Sequence, residues 1–276
     1  MQYIKRKGII NLITCEQLAN QIKAEVKQKI SELREQPKLA IISNNRPDGE
    51  RYIRNKVKVA EEVGIKAEVY NVDENNPIGK LIDRLTWHSG LIIQMPFYGD
   101  KKRDEKLINE IPFYQDVDGL TMDNNITPAT ALGIFKYLKA NNLIDGKNIV
   151  VIGRSKLVGM PLAMLLLNTD ATVTLCHSKT QDLCHYVREA DVIVRAVGKA
   201  DFITKDMVDD CCDYHIIDVG INFKDGKMVG DVSQAVKDMP NVVATPVPKG
   251  VGLLTTACLM ENVYELHKLV HEPDDY

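Results

Sequence analysis

The segment Gly153-Arg-Ser-Lys-Leu-Val-Gly-Met-Pro follows an apolar run, Asn148-Ile-Val-Val-Ile, and precedes another, Leu162-Ala-Met-Leu-Leu-Leu. A strand that turns at glycine into a helix presents backbone N–H groups and a helix N-terminus, which together can hold a pyrophosphate. The spacing is neither G-x-G-x-x-G nor a P-loop, so a tight turn without a ligand is the competing reading. The next run, Ala171 to Leu175, ends in Cys176-His-Ser-Lys-Thr and lacks the acid that accepts ribose hydroxyls of NAD. Arg154, Ser178 and Lys179 offer charge-assisted hydrogen bonds to a 2′-phosphate, which selects NADP; a solvated basic loop is the alternative. Two further turns, Ala196-Val-Gly198 and Asp218-Val-Gly-Ile-Asn222, close apolar runs at the sheet edge where ligands sit.

A second feature is Glu50 to Gly64, E-R-Y-I-R-N-K-V-K-V-A-E-E-V-G. At roughly 100° per residue, Tyr52, Ile53, Lys56, Val57, Val59, Ala60 and Val63 share one sector of a helix. Arg54, Asn55, Lys58, Glu61 and Glu62 lie opposite. One ammonium, Lys56, therefore stands on the apolar side, a turn beyond Tyr52. It is either a lysine snorkelling from a helix edge or a functional cation.

The elements that position these groups alternate. Short β-rich runs begin at Leu39, Ala67, Gly90, Asn148, Ala171, Asp191 and His215, with helical segments between them. Near-continuous apolar strands alternating with helices predict parallel sheets covered on both faces, an α/β protein. A polar stretch, Asp116 to Thr127, and a helical segment, Ala129 to Ala140, separate two sets of βα units, with a boundary near residue 120. The expected domains are 1–120 with 255–276, and 121–254. A last amphipathic helix is expected over Thr255 to Val270, with a frayed tail from His271 to Tyr276.

The chain has 276 residues, 45% hydrophobic and 26% charged, enough for one large or two ordinary domains with a true core. A net charge of −3 with dispersed basic residues argues against nucleic-acid binding. The basic N-terminus precedes only a short apolar run broken at Asn11, so no signal peptide is expected, and no run approaches a membrane span. Cys15, Cys176, Cys184, Cys211, Cys212 and Cys258 show no framework spacing and read as reduced, cytoplasmic thiols. Cys176-His177 and Cys184-His185 suggest a metal only weakly, because strand neighbours point to opposite faces; no metal is expected.

Taken in order, several segments resemble the bifunctional methylenetetrahydrofolate dehydrogenase/methenyltetrahydrofolate cyclohydrolases over nearly the full chain. They are Tyr52 to Gly64, Gln94-Met-Pro, Asp116-Val-Asp-Gly, Gly153 to Pro161, His177-Ser-Lys-Thr, Gly230-Asp-Val and Thr245-Pro-Val-Pro-Lys-Gly-Val-Gly. The resemblance implies a folate-binding catalytic domain, a Rossmann-like NADP-binding domain, a cleft between them and usually a homodimer. It implies oxidation of 5,10-methylenetetrahydrofolate by NADP⁺, then hydrolysis of the methenyl product to 10-formyltetrahydrofolate. By position, Lys56 becomes the central catalytic lysine, a desolvated amine able to exchange protons near neutrality. Tyr52 becomes the platform for the folate ring, Gln94 the group that orients Lys56, and Asp118 the partner of the pterin amino edge. Pro248 and Gly250 fall on the folate side; Gly153, Arg154, Ser155, Ser178, Ile221 and Thr130 fall on the cofactor side. Without the resemblance, Tyr52 is ordinary packing, Gln94 a strand-end hydrogen bonder and Asp118-Gly119 a plain turn.

The chain departs from the family pattern at several positions. Lys249 stands where glycine is usual, Leu253 where proline is, and Leu254 where methionine is. Pro128-Ala-Thr-Ala lacks the usual cysteine and second proline, though Thr130 remains, and Gln94-Met-Pro-Phe-Tyr lacks the usual leucine-proline continuation. Lys249 either clashes, binds the glutamate tail or points outward. Arg195 interrupts an apolar strand and either meets cofactor phosphates or pairs with a nearby acid. Two other readings stay open: one activity retained because of the altered loop, or a non-catalytic NADP- or folate-binding regulator.

Overall fold

The computed structural model describes residues 2–5, 8–73, 78–121, 126–224 and 226–272. The expected frayed tail thus lies largely outside the described residues. The chain forms two compact units, Asn20–Ala129 with Thr256–Tyr276, and Met1–Ala19 with Thr130–Thr255. The first nineteen residues therefore cluster with the second set of βα units, whereas the sequence reading groups them with the first.

Strand β1 (Gln2–Lys5) and strand β2 (Gly8–Asn11) form an antiparallel hairpin. Helix α1 (Cys15–Ser31) follows and runs across the first division between units. In the unit containing Lys56, β3 (Lys38–Ser43) lies between β4 (Lys66–Asn71) and β5 (Gly90–Ile93), all parallel. Leu39, Ala40, Ile41, Ile42, Leu91 and Ile92 are all 0% exposed, so β3 and β5 are covered on both faces, whereas the edge strand β4 is partly open, with Val69 40% exposed. Removing such aliphatic side chains from water contributes about 1.5–3 kcal/mol each, which is why these runs read as unbroken apolar stretches.

Helix α2 (Pro47–Val63) joins β3 to β4, and α3 (Ile78–Ile82) precedes β5. Proline opens α2, where its missing N–H costs nothing. Gly64 ends the helix at φ 93°, a left-handed conformation that favours glycine. Ile53, Val59, Ala60 and Val63 are buried and Arg54, Asn55, Lys58, Glu61 and Glu62 exposed, as the wheel predicts; of its apolar sector, Lys56 and Val57 are only half-buried and Tyr52 is exposed. Helix α4 (Lys101–Ile108) starts at Asp100, whose carboxylate accepts from the Arg103 N–H. Helix α5 (Ala129–Ala140) follows.

The other unit carries a five-stranded parallel sheet built on β6 (Asn148–Ile152), β7 (Thr172–Cys176), β8 (Val192–Arg195), β9 (Tyr214–Asp218) and, beyond an antiparallel hairpin of β10 (Asn222–Lys224) and β11 (Lys227–Val229), β12 (Val242–Ala244). Its order is β12-β9-β8-β6-β7. The first strand in sequence, β6, thus sits between the second and third, β7 and β8. This is a doubly wound sheet whose order reverses at β6/β8, and ligands bind beyond the carboxyl ends at such a reversal. Helices α6 (Gly159–Leu167), α7 (Leu183–Arg188) and α8 (Gln234–Lys237) connect the strands. The last helix, α9 (Val251–His271), starts earlier than the sequence reading and runs through the Thr255/Thr256 division. Among the described residues, no helix is long and apolar enough to cross a membrane.

Candidate active site

In the Lys56 unit three elements converge. Lys56 lies on α2, half-buried, and its Nζ donates to Gln94 Oε1 at 3.2 Å. Gln94 follows β5, with its backbone N–H donating to Ile42 O at 2.9 Å. Its side-chain Nε2 donates to the Met95 carbonyl at 3.0 Å. Only one orientation of the amide lets it accept from an ammonium and donate to a carbonyl, so Gln94 is fixed with its oxygen toward Lys56. Asp118 stands in the turn before Gly119, half-buried, with an unusually high pKa. Burial raises it, the Lys56 charge pulls it back, and the neighbouring Asp116 pushes it further up. That turn is anchored behind the site: Asn262 Nδ2 donates to Val117 O and Thr127 O at 2.9 and 3.0 Å. Asp116 Oδ2 accepts from both the backbone and the hydroxyl of Thr121. Tyr52, a turn before Lys56, remains 37% exposed. The unit thus brings together a half-buried ammonium, an amide that accepts from it and a carboxyl within reach of its charge.

The doubly wound unit gathers its own group at the sheet's carboxyl edge. Gly153 leaves β6 at φ 114°, and a Cβ there would lie 2.6 Å from Ala196 O in the turn after β8. At Gly159, which opens α6, a Cβ would lie 1.7 Å from Gly153 O. These two glycines let strand, turn and helix close together. That is the cradle a pyrophosphate needs, reached by a spacing other than G-x-G-x-x-G. Within it Arg154 and Ser155 are exposed, and the Ser155 hydroxyl accepts from the Val158 N–H at 3.2 Å. After β7, His177 and Thr180 close a tight turn that leaves Ser178 exposed. Ile221, after β9, is 43% exposed. Thr130 at the start of α5 is half-buried, its hydroxyl 3.1 Å from that of Thr255. Pro248 is exposed, whereas Gly250 is buried. Among the described residues, the metal-type donors that come together are Asp209, Cys211 and Cys212, not the Cys-His pairs.

A model of the tetrahydrofolate dehydrogenase/cyclohydrolase catalytic domain matches residues 13–118, and one of that family's NAD(P)-binding domain matches residues 128–271. The chain belongs to the tetrahydrofolate dehydrogenase/cyclohydrolase family. It is 38% identical to the bifunctional protein FolD of Exiguobacterium sp., over 92% of this chain and 98% of that protein. It is 40% identical to the Lactobacillus acidophilus FolD, over 90% and 94%. The crystal structure of the Campylobacter jejuni bifunctional enzyme FolD matches with a TM-score of 0.84 at 35% identity, covering 94% of this chain and 99% of that one. A Trypanosoma brucei methylenetetrahydrofolate dehydrogenase-cyclohydrolase, solved with NADP cofactor and inhibitor, matches at 0.81 and 26% identity, covering 94% and 98%.

Within this family fold, the two alternatives for Arg195 are resolved by geometry. Its side chain is 0% exposed and its Nη1 lies 3.4 Å from Asp231 Oδ2. It is paired with an acid inside the unit and is not a surface contact for phosphates. Asp231 belongs to the Gly230-Asp-Val motif, which by itself assigns it no role. Its place under the β8 turn depends on a chain crossing that no local pattern reveals. The need for glycine at 159 arises only from the close approach of α6 to Gly153, which no local pattern reveals.

Lys249 is exposed and holds φ 70°. A side chain in this left-handed region costs about 1–2 kcal/mol, partly offset by glycine's greater freedom in the unfolded chain. Lys249→Gly is therefore expected to raise stability by about 0.5–1 kcal/mol, measured as a higher urea midpoint at unchanged slope.

Asp118 carries the opposite kind of cost. Its folded carboxyl holds a proton more tightly than the unfolded one, so stability falls as pH rises from its ordinary value of 3.8 through the raised folded value. Asp118→Asn is expected to stabilise the protein at neutral pH, with the gain shrinking as pH falls toward 3.8. Urea midpoints measured across that range check the sign; a gain that grows on acidification overturns it.

Proposed function

We propose that this protein oxidises 5,10-methylenetetrahydrofolate with NADP⁺ to the methenyl form and hydrolyses that product to 10-formyltetrahydrofolate, in one-carbon metabolism. The observation that carries this is the Lys56–Gln94 hydrogen bond beside Asp118 in a chain of this family.

Bound NADP⁺ supplies a hydride acceptor. The chain's part in that step is positioning, for which no protein nucleophile is needed. Backbone N–H groups of the Gly153–Gly159 cradle hold the pyrophosphate, and exposed Arg154 and Ser178 take the 2′-phosphate. Ser155, Ile221 and Thr130 complete the cofactor side. The NADP-bound Trypanosoma brucei relative supports this cofactor.

In the hydrolytic step water adds to the cationic methenyl carbon and loses both of its protons as the formyl C=O forms; one carbon–nitrogen bond breaks, one of those protons goes to the released ring nitrogen and the other leaves to solvent. Lys56 handles the proton that reaches the nitrogen. An ammonium has three N–H bonds; one goes to Gln94, which leaves two for the substrate. Tyr52 stacks on the folate ring, Asp118 holds the pterin amino edge, and Pro248 with Gly250 contact substrate. The six free cysteines suit a reducing cytoplasm, and the family resemblance supports a homodimer.

The test is a coupled assay with methylenetetrahydrofolate and either NADP⁺ or NAD⁺, following NADPH formation and then methenyl decay. Both signals with NADP⁺ support the reading. NADPH formation without accelerated methenyl decay removes the hydrolase, cofactor binding without any turnover favours a regulator, and equal turnover with NAD⁺ defeats the roles of Arg154 and Ser178.

A further inference from the structure

Beneath the turns after β8 and β9 lies a closed set of charges. Asp218 and Asp231 are 1% and 0% exposed, and Arg195 is 0% exposed. Lys237 Nζ pairs with Asp218 Oδ2 at 2.8 Å, and Arg195 Nη1 faces Asp231 Oδ2 at 3.4 Å. Two carboxylates are thus balanced by two cations.

Asp231 ties both turns together. Its Oδ2 accepts from the backbone N–H of Val197 and of Gly198, at 3.2 and 2.9 Å. Its Oδ1 accepts from Asn222 Nδ2 at 2.9 Å. Its own N–H donates to Asp218 Oδ1 at 2.7 Å. A Cβ on Gly220 would lie 1.9 Å from Asp231 Oδ1, so the second turn wraps directly over this carboxylate. The side chains that the turns hold outward, Val197 and Ile221, are 51% and 43% exposed at the carboxyl edge.

Arg195 is poorly satisfied where it lies. Among the described residues none accepts a hydrogen bond from its Nε, Nη1 or Nη2. It is held by the Asp231 charge and by the Phe202 ring, 3.7 Å from its Cζ. A buried guanidinium without hydrogen bonds is costly, and an apolar substitute for a whole buried pair is often neutral or stabilising. Its charge does have one local consequence: it faces the Asp231 carboxylate, whose Oδ2 accepts from two backbone N–H groups of the β8 turn.

We propose that Arg195 is a positioning residue that acts through Asp231 to hold the Ala196–Gly198 and Val219–Asn222 turns in their NADP-binding arrangement. This rests on NADP being the cofactor. Direct binding of NADPH, followed by its fluorescence on the full-length protein, needs no folate and no turnover. Arg195→Met is expected to raise the NADPH Kd at least tenfold. The KM for NADP⁺ rises in parallel, while kcat at saturating NADP⁺ stays within threefold. Arg195→Lys, which returns the charge, is expected to bind within threefold of the wild type. If Arg195→Met lowers the thermal midpoint but leaves Kd unchanged, the role is only structural and the proposal fails. It fails equally if Arg195→Lys binds tenfold more weakly. Where Arg195→Met does not fold, Asp231→Asn carries the test: a tenfold rise in Kd is expected and an unchanged Kd overturns the idea. Wild-type protein that binds no NADPH would instead refute the cofactor assignment itself.

Discussion

Lys56→Met is expected to slow methenyltetrahydrofolate hydrolysis about 10²–10⁴-fold, the range for losing a positioned proton-transfer group. Methionine keeps the length and apolar stem of the side chain, so the α2 face built on Ile53, Val59, Ala60 and Val63 should stay packed. What disappears is the donor to Gln94 Oε1 and the positive charge that holds the Asp118 carboxyl down. NADPH formation should fall less than hydrolysis, because oxidation depends on holding the substrate and not on proton handling by this amine. Lys58→Met is the matched control. Lys58 is exposed on the opposite side of the same helix, so hydrolysis should stay within about threefold of wild type, as for surface changes remote from a site. Decay of the methenyl absorbance measures both variants. Equal rates for Lys56→Met and wild type would remove Lys56 from the chemistry.

The comparison of Lys56 with Lys58 also shows what a sequence can carry. The wheel separates the two lysines correctly, because helical periodicity is a local property written in consecutive residues. It cannot show that Gln94, 38 residues away, ends with its oxygen 3.2 Å from Lys56; that contact exists only because β5 pairs beside β3. The long α5 is legible residue for residue, Ala129–Ala140. The hairpins β1–β2 and β10–β11 and the short β12 are not, since three or four residues hold too little periodicity to stand out. Arg195 is the clearest case of a residue whose type raises a question that its neighbours in sequence cannot answer. An arginine in an apolar strand must find an anion, but whether a ligand or a carboxylate is decided by the fold, which brings Asp231 beneath the β8 turn. The candidate site residues are therefore recognisable from ordered motifs, whereas the support behind them depends on crossings of the chain.

Gly159→Ala is expected to weaken NADPH binding at least tenfold and to lower stability by about 1–3 kcal/mol, the usual cost of overpacking. The added methyl would sit 1.7 Å from Gly153 O, 2.7 Å from Gly153 C and 3.3 Å from Arg154 Cα. All three are backbone atoms, so no side chain can rotate aside. Gly153 cannot retreat freely either, because its own Cα faces the Ala196 carbonyl in a space too small for a Cβ. Either α6 withdraws from the sheet or the turn after β6 changes course. Both outcomes spoil the alignment of N–H groups on which pyrophosphate binding depends. Gly252→Ala, on the first turn of α9, makes the same chemical change where a Cβ meets nothing within 4 Å. There alanine's better helix propensity should raise stability by up to about 1 kcal/mol. Opposite signs for one identical substitution would tie the Gly159 effect to the cradle and not to helix propensity. NADPH titration and urea midpoints of both variants decide it, and Gly159→Ala that binds NADPH like the wild type would show that the strand–turn–helix junction is not where the cofactor is held.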